Sequence, residues 1–98
     1  MKLADLSNDL LRYMAKQYKL NRQKYFTFET FKTMYPDLDD DFISDALYLL
    51  RSDGLVSIQS AENVANTTFL NVRAIRSVEE DTLIKKGYHA IKEIRSWF

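Results

Sequence analysis

The spacing of apolar side chains changes along this sequence, and that change limits the folds open to the chain. Over the first half, apolar residues recur every three or four positions, as they do in amphipathic helices. Between about Leu55 and Val72 they alternate with polar residues, as they do in half-buried β-strands. Because the sequence has 98 residues, we expect one small domain of mixed α and β structure, spanning residues 1–98.

The first predicted helix begins at Leu3 or Ser7 and ends near Lys19. Its apolar residues share helical spacing, and they are Leu6, Leu10, Tyr13, Met14 and Tyr18. A polar connection follows it. Residues 25–27 are rich in β-forming types, which predicts a short extended segment there.

Two further helices are predicted between this segment and Leu55. Thr27 is a suitable N-cap for a short helix that ends before Pro36, because proline disfavours the helical conformation in the residue that precedes it. The aspartates at 39–41 favour the start of a longer helix, where carboxylates oppose the positive end of the helix dipole. Gly54 suits the left-handed position at which helices commonly stop.

A β-hairpin is predicted next, over about residues 55–74. Residues 55–60 and 68–72 alternate as strands, and residues 62–66 are polar enough to turn the chain between them. The hairpin therefore follows directly on the third helix.

The end of the chain is predicted to be helical. The pattern Ser77-Val78-Glu79-Glu80 is that of a capping box, which predicts a final helix over about residues 78–98. The complete order is then helix, short strand, helix, helix, hairpin and helix. We therefore predict a helix-dominated α+β fold of the winged-helix type, with a three-helix core, a β-hairpin wing and an added C-terminal helix.

Two segments resemble a known family. Residues 45–56, DALYLLRSDGLV, look like the passage from third helix to wing in many winged helices. Residues 86–98, KGYHAIKEIRSWF, are similar to the C-terminal helix of the YjcQ family, small winged-helix proteins of Gram-positive bacteria and their phages. The likeness extends from about Asp39 to the end of the sequence. It implies a fold and a bacterial or phage host, and it supplies no activity and no site residues.

The sequence carries no pattern typical of catalysis. Without cysteine, it has no thiol nucleophile, thiolate metal site or disulfide. Its one histidine, His89, is predicted on the polar side of the last helix, and no arrangement of neighbouring residues marks it as a base. Aspartates with calcium-loop spacing begin at Asp37, but Phe42 and Tyr48 stand where such a loop needs glycine and glutamate. We therefore predict a protein that is not an enzyme and uses no cofactor, metal or small-molecule substrate.

The expected location is the cytoplasm. No apolar run approaches the roughly 18–20 residues of a membrane span, and the N-terminus lacks the apolar core of a signal peptide. We therefore expect no membrane partner.

The formal net charge is zero, but the charge is unevenly distributed. Residues 1–36 sum to +4, residues 37–62 to −6 and residues 63–98 to +2. The acidic block contains the predicted third helix. Charge of this sign on that helix bears directly on which partners the chain can bind.

One hypothesis is that the chain binds double-stranded DNA as a bacterial or phage transcriptional regulator. In helix-turn-helix proteins the equivalent of the third helix enters the major groove. The predicted outward positions of this helix are Asp40, Asp41, Ser44, Asp45, Tyr48 and Arg51. Its carboxylates would face the phosphates, whose neutralisation supplies much of the affinity, so contact would depend on cations elsewhere. Besides Tyr48 and Arg51, the candidates are Arg12, Lys16, Lys19, Arg22, Lys24, Arg73 and Arg76.

The alternative hypothesis is a protein-interaction module, including a homodimer. On one continuous helix, the apolar residues of 83–98 would cover about half of the circumference, which exceeds the stripe of roughly 100° that a single docking surface needs. One part would pack on the first helix and another would meet a partner. The candidate contacts are Leu83, Tyr88, Ile91, Ile94, Trp97 and Phe98. The sequence leaves both hypotheses open.

Overall fold

A computed structural model describes residues 1–62 and 64–98. Its elements, in chain order, are α1 (Leu3–Asn21), β1 (Tyr25–Thr27), α2 (Phe28–Met34), α3 (Asp40–Ser52), β2 (Val56–Ala61), β3 (Val64–Leu70), α4 (Val72–Ser77), α5 (Glu80–Lys85) and α6 (Ala90–Trp97). The predicted helix-dominated α+β fold is confirmed. Helices α1 to α3 and strand β1 lie where the apolar spacing placed them.

The three strands form one antiparallel sheet in the order β1-β3-β2. Strand β3 is central, because Tyr25 of β1 and Ser57 of β2 both lie opposite Phe69. Phe26 and Val56 point inward and are buried, whereas Tyr25 and Phe69 point outward and are exposed. One face of the sheet therefore covers the core, and the other faces solvent.

Left-handed backbone positions end both α1 and α3. Arg22 has φ 59° after α1, and its N–H donates to the carbonyl of Tyr18. Gly54 has φ 76° after α3, as its sequence position predicted. At the start of α3, Asp39 makes no side-chain capping hydrogen bond, so the aspartates there act through charge alone.

The core lies between α1, α3, the inner face of the sheet and α6. Leu10 and Met14 of α1 are fully buried, as are Leu47 of α3 and Ile91 of α6. The Ser7 hydroxyl lies 3.1 Å from the carbonyl oxygen of Ala46, which fixes the middle of α3 against the first turns of α1.

The prediction of one helix over 78–98 is wrong. Residues 72–98 form the three short helices α4, α5 and α6 instead. Gly87 has φ 101°, which breaks the helix after α5, and a Cβ at this position would lie 3.5 Å from the Cβ of Ala4. The side chain of Asn8 then accepts a hydrogen bond from the Ala90 N–H at 2.9 Å, so α1 supplies the partner for the start of α6.

The predicted capping box is also wrong. Ser77 is the last residue of α4, and its hydroxyl donates to the carbonyl of Arg73. The capping side chain in this region belongs to Asn71, which accepts a hydrogen bond from the Ala74 N–H at 2.9 Å. The hairpin strands end at Leu70, so the predicted boundary at 74 falls inside a helix.

The predicted turn at 62–66 is shorter in the structure. Glu62 has φ 53°, and Val64 already belongs to β3. Asn63 lies outside the described residues. Across the described residues, no helix combines the length and apolar character needed to cross a membrane.

Candidate nucleic-acid interface

The exposed surface of α3 is acidic. Asp40, Asp41 and Asp45 are exposed on this helix, and Asp39 is exposed just before it. The outward position predicted for Ser44 is wrong, because its hydroxyl is buried and accepts a hydrogen bond from the Ala65 N–H at 3.1 Å. A phosphate backbone laid along α3 would therefore meet carboxylates.

The two other predicted contacts on α3 lie together beside the hairpin. The guanidinium carbon of Arg51 is 4.6 Å from the centre of the Tyr48 ring. The hydroxyl of Tyr48 is 2.9 Å from that of Ser60 in β2. Tyr48 therefore connects α3 to the hairpin, and Arg51 lies over its ring.

Arg12 forms ion pairs with two carboxylates. Its Nε lies 3.1 Å from Glu93 of α6, and its Nη1 lies 3.2 Å from Asp9. This arginine joins α1 to α6 with its charge neutralised, which makes it a poor phosphate ligand. Lys16, one turn further along α1, is exposed.

Beyond Lys16, the end of α1 carries a cluster of aromatic rings and cations. The rings of Tyr18 and Phe98 lie 5.6 Å apart. The Lys19 ammonium lies 6.0 Å from the Trp97 ring, and the Arg76 guanidinium lies 5.1 Å from the Phe98 ring. We call this surface the basic end, and it consists of Tyr18, Lys19, Arg22, Lys24, Arg76, Trp97 and Phe98.

Two more cations of the basic end lie over Tyr18. The Arg22 guanidinium is 5.5 Å from the ring centre, and the Lys24 ammonium is 6.0 Å from it. These separations are within the range of cation–π attraction, which orients a cation while leaving N–H donors free for another ligand. The structure therefore brings together cations that are separated by more than fifty positions in the sequence.

The cations of the basic end are not neutralised by carboxylates in the described part of the chain. The ion pairs there join Arg12 to Asp9 and Glu93, Lys32 to Asp40, Lys86 to Asp53, and Lys92 to Glu80. None of them involves Lys19, Arg22, Lys24 or Arg76. Positive charge is therefore available to an anionic ligand at this surface.

Arg95 was not among the residues predicted from sequence. It lines a surface cavity of about 290 Å³ together with Arg76 and Phe98. Its guanidinium donates to the Val78 carbonyl. On a continuous final helix Arg95 had no relation to Arg76, whereas in the structure α4 packs against α6. Arg73, which was predicted, is exposed on α4 one turn before Arg76.

Most of the predicted partner contacts lie in the core. Leu83, Tyr88, Ile91 and Ile94 are all at most 3% exposed, so as an exposed contact surface they are wrong. The physical reason is the break at Gly87, which lets α5 and α6 each turn an apolar side inward. Burial and the nearby Asp53 carboxylate raise the pKa of Tyr88 above its usual value.

The two remaining partner candidates belong to the basic end. Trp97 and Phe98 are partly buried against the core, with part of each ring accessible. They stand beneath Lys19 and Arg76, so any ligand that reaches them also meets those cations.

The described residues hold no cluster of three or more histidine, cysteine, aspartate or glutamate side chains that could bind a metal ion. His89 is exposed just before α6. Comparison with known proteins found no matching family model, no matching curated protein and no matching solved structure. The similarity of residues 86–98 to the YjcQ family stays a prediction.

Proposed function

We propose that this chain is a non-enzymatic winged-helix module that binds double-stranded DNA through its basic end, as a regulator of bacterial or phage type would. The order of its elements, α1-β1-α2-α3-β2-β3, and the sheet order β1-β3-β2 support a winged helix. The observation that carries the proposal is the convergence of Lys19, Arg22, Lys24 and Arg76, with no carboxylate of the described residues paired to them.

The charge distribution supports an unusual orientation on DNA. Phosphate neutralisation dominates affinity for a duplex, and the exposed carboxylates of α3 oppose it. The middle of α3 packs near Ser7, whereas Tyr18 lies 11 residues further along α1, which is about 16 Å at 1.5 Å per residue. The basic end can therefore approach phosphates while α3 stays outside the groove.

The structure removes most of the support for the alternative, a protein-interaction or dimerisation module. That hypothesis depended on an apolar surface over residues 83–98, and four of its six candidate residues are core residues. Trp97 and Phe98 remain, but cations surround them. An anionic partner fits this surface better than an apolar one.

The proposal is tested by removing matched amounts of charge from two surfaces. The first variant combines Lys19→Gln, Lys24→Gln and Arg76→Gln. The control combines Lys2→Gln, Lys85→Gln and Lys92→Gln, which are exposed lysines away from the basic end. Affinity for a labelled random-sequence duplex of about 20 base pairs is measured between 50 and 200 mM salt, because the logarithm of the affinity falls linearly with the logarithm of the salt concentration.

The basic-end variant should bind at least about tenfold more weakly at 50 mM salt, with a shallower salt dependence, because each lost phosphate contact lowers the slope by about 0.9. The control should bind within about twofold of the parent protein. The fluorescence of Trp97, the only tryptophan, should change on binding because it lies within the basic end. Equal weakening of both variants, or no duplex binding by the parent protein at 50 mM salt, would overturn the proposal.

A further inference from the structure

An exposed aromatic pair lies outside the basic end and outside the core. Tyr25 of β1 is 61% exposed and Phe69 of β3 is 41% exposed. They are direct cross-strand partners, and their ring centres lie 6.5 Å apart at 40°. Neither ring is needed to close the core, since their strand neighbours Phe26 and Thr68 fill the inner face.

The rest of this outer sheet face is polar but uncharged. Ser57 lies on the other side of Phe69, which completes a row across the three strands. The next row consists of Thr27, Thr67 and Gln59. We call these six residues the outer sheet face, and it offers two rings together with hydroxyl and amide groups.

Charge is arranged unequally at the two ends of this face. At the aromatic end, Lys24 directly precedes Tyr25, and its carbonyl accepts a hydrogen bond from the Leu70 N–H at 2.7 Å. Arg73 lies on α4, which directly follows β3. The carboxylate of Glu62 is at the opposite end, where β2 finishes. The aromatic end of this face therefore adjoins the basic end, to which Lys24 belongs and where its ammonium lies over the Tyr18 ring.

We propose that the outer sheet face binds unpaired nucleotides of a single-stranded nucleic acid, with bases stacked on Tyr25 and Phe69 and phosphates directed toward Lys24 and Arg73. Exposed rings beside cations bind single strands because every base offers a π-face and every nucleotide a negative charge. In a closed duplex the base faces are covered by their neighbours. The proposal deepens the proposed function, on which it rests for the contribution of Lys24.

The uncharged character of the face favours this ligand over an acidic or basic protein segment, which would need opposite charges along the face. A second copy of the chain would present the same uncharged face, which has no negative charge to offer Lys24 and Arg73. Association between copies is therefore the competing outcome that the experiment must detect.

The experiment compares three labelled ligands of about 20 nucleotides in length: oligothymidylate, an abasic strand with the same phosphates, and a duplex. Tyr25→Ala and Phe69→Ala should each weaken oligothymidylate binding roughly tenfold, since stacking on one ring contributes a factor of that order. Binding of the abasic strand and of the duplex should change less than about twofold, because neither presents a free base face.

Control variants distinguish base stacking from general hydrophobic contact and from a loss of folding. Tyr25→Phe and Phe69→Tyr keep a ring and should retain oligothymidylate binding, whereas Tyr25→Leu keeps an apolar side chain and should lose it. Met34→Ala removes an exposed apolar side chain from α2 and should have no effect. Unchanged thermal unfolding of all variants shows that the sheet is intact.

Three results would overturn the inference: equal weakening on the abasic strand, no weakening by either alanine variant, or a concentration-dependent dimer that both alanine variants abolish. The two proposals fail separately. If the ring variants lose oligothymidylate while the basic-end variant still binds duplex normally, the proposed function fails and stacking on the outer sheet face stands. If the basic-end variant loses duplex binding while the ring variants keep oligothymidylate binding, the inference about the outer sheet face fails and the proposed function stands.

Discussion

Helix α3 and the basic end both place an arginine over an aromatic ring, yet they offer opposite surfaces. Arg51 lies 4.6 Å from the Tyr48 ring, and Arg76 lies 5.1 Å from the Phe98 ring. Around Arg51, the other charges exposed on α3 are carboxylates. Around Arg76 are further cations that form no ion pair in the described residues.

The comparison shows that an arginine–ring pair does not define a binding site. Its neighbours determine whether a polyanion is attracted, because the local potential is the sum of all nearby charges. The position of a helix in the fold is equally insufficient to define a binding site. In the proposed winged helix, α3 occupies the position that usually reads DNA, while the favourable charge lies at the end of α1.

The largest expected effect tests whether the basic end rests on a buried α6. Ile94→Ala removes a fully buried side chain, so the free energy of unfolding should fall by about 2–5 kcal/mol. Lys92→Ala, on the exposed side of the same helix, should change it by less than about 0.5 kcal/mol. Urea unfolding followed by circular dichroism measures both. A small loss for Ile94→Ala would restore α6 as an exposed partner surface.

A smaller effect compares the two arginines directly. Arg76→Gln should weaken duplex binding roughly five- to tenfold at 50 mM salt, because one phosphate contact is lost. Arg51→Gln should change the affinity less than about twofold, since carboxylates keep phosphates away from α3. Each substitution removes one guanidinium that lies over an aromatic ring, so the two affinities, measured by fluorescence anisotropy, can be compared directly. A larger effect for Arg51→Gln would reverse the assignment of the two surfaces.

The smallest effect concerns the carboxylates themselves. The double variant Asp41→Asn and Asp45→Asn should change duplex affinity less than about twofold at 0.1 M salt, where the screening length is about 10 Å. The basic end lies further than that from the middle of α3. Asp5→Asn with Glu29→Gln is the control, because these residues are exposed in first turns of other helices. If the α3 variant alone gained more than tenfold in duplex affinity, the result would mean that α3 faces the DNA.

The fold up to Leu70 could be predicted from sequence because its signals are local. Apolar spacing marks α1 and α3, Pro36 follows the end of α2, and Gly54 ends α3. The break in the C-terminal region could not be predicted in this way. Apolar spacing continues through Gly87, and Asn8, which accepts the Ala90 N–H at the start of α6, lies about eighty positions away.

Individual residues of the site could be predicted from the sequence, but their arrangement could not. Lys19, Arg22, Lys24 and Arg76 were identified as cations that a DNA ligand would need, but their convergence on Tyr18 and Phe98 depends on tertiary packing. Arg95 had no local signal. Arg12 looked equivalent to Lys19 in sequence, but its ion pairs with Asp9 and with Glu93 of α6 distinguish the two in the structure.

The contacts between α1 and the segment after α5 also have a consequence for how the protein is made. Ala90 donates to Asn8, and Glu93 pairs with Arg12, across about eighty positions of sequence. During translation, α1 emerges from the ribosome long before its partners do. Its side facing α6 stays uncovered until residues 87–94 have followed, and contacts of such long sequence separation form late in folding. Helix α1, which is synthesised before α2 to α6, is thus among the last of these helices to be fully covered, and chaperones have that interval in which to bind it.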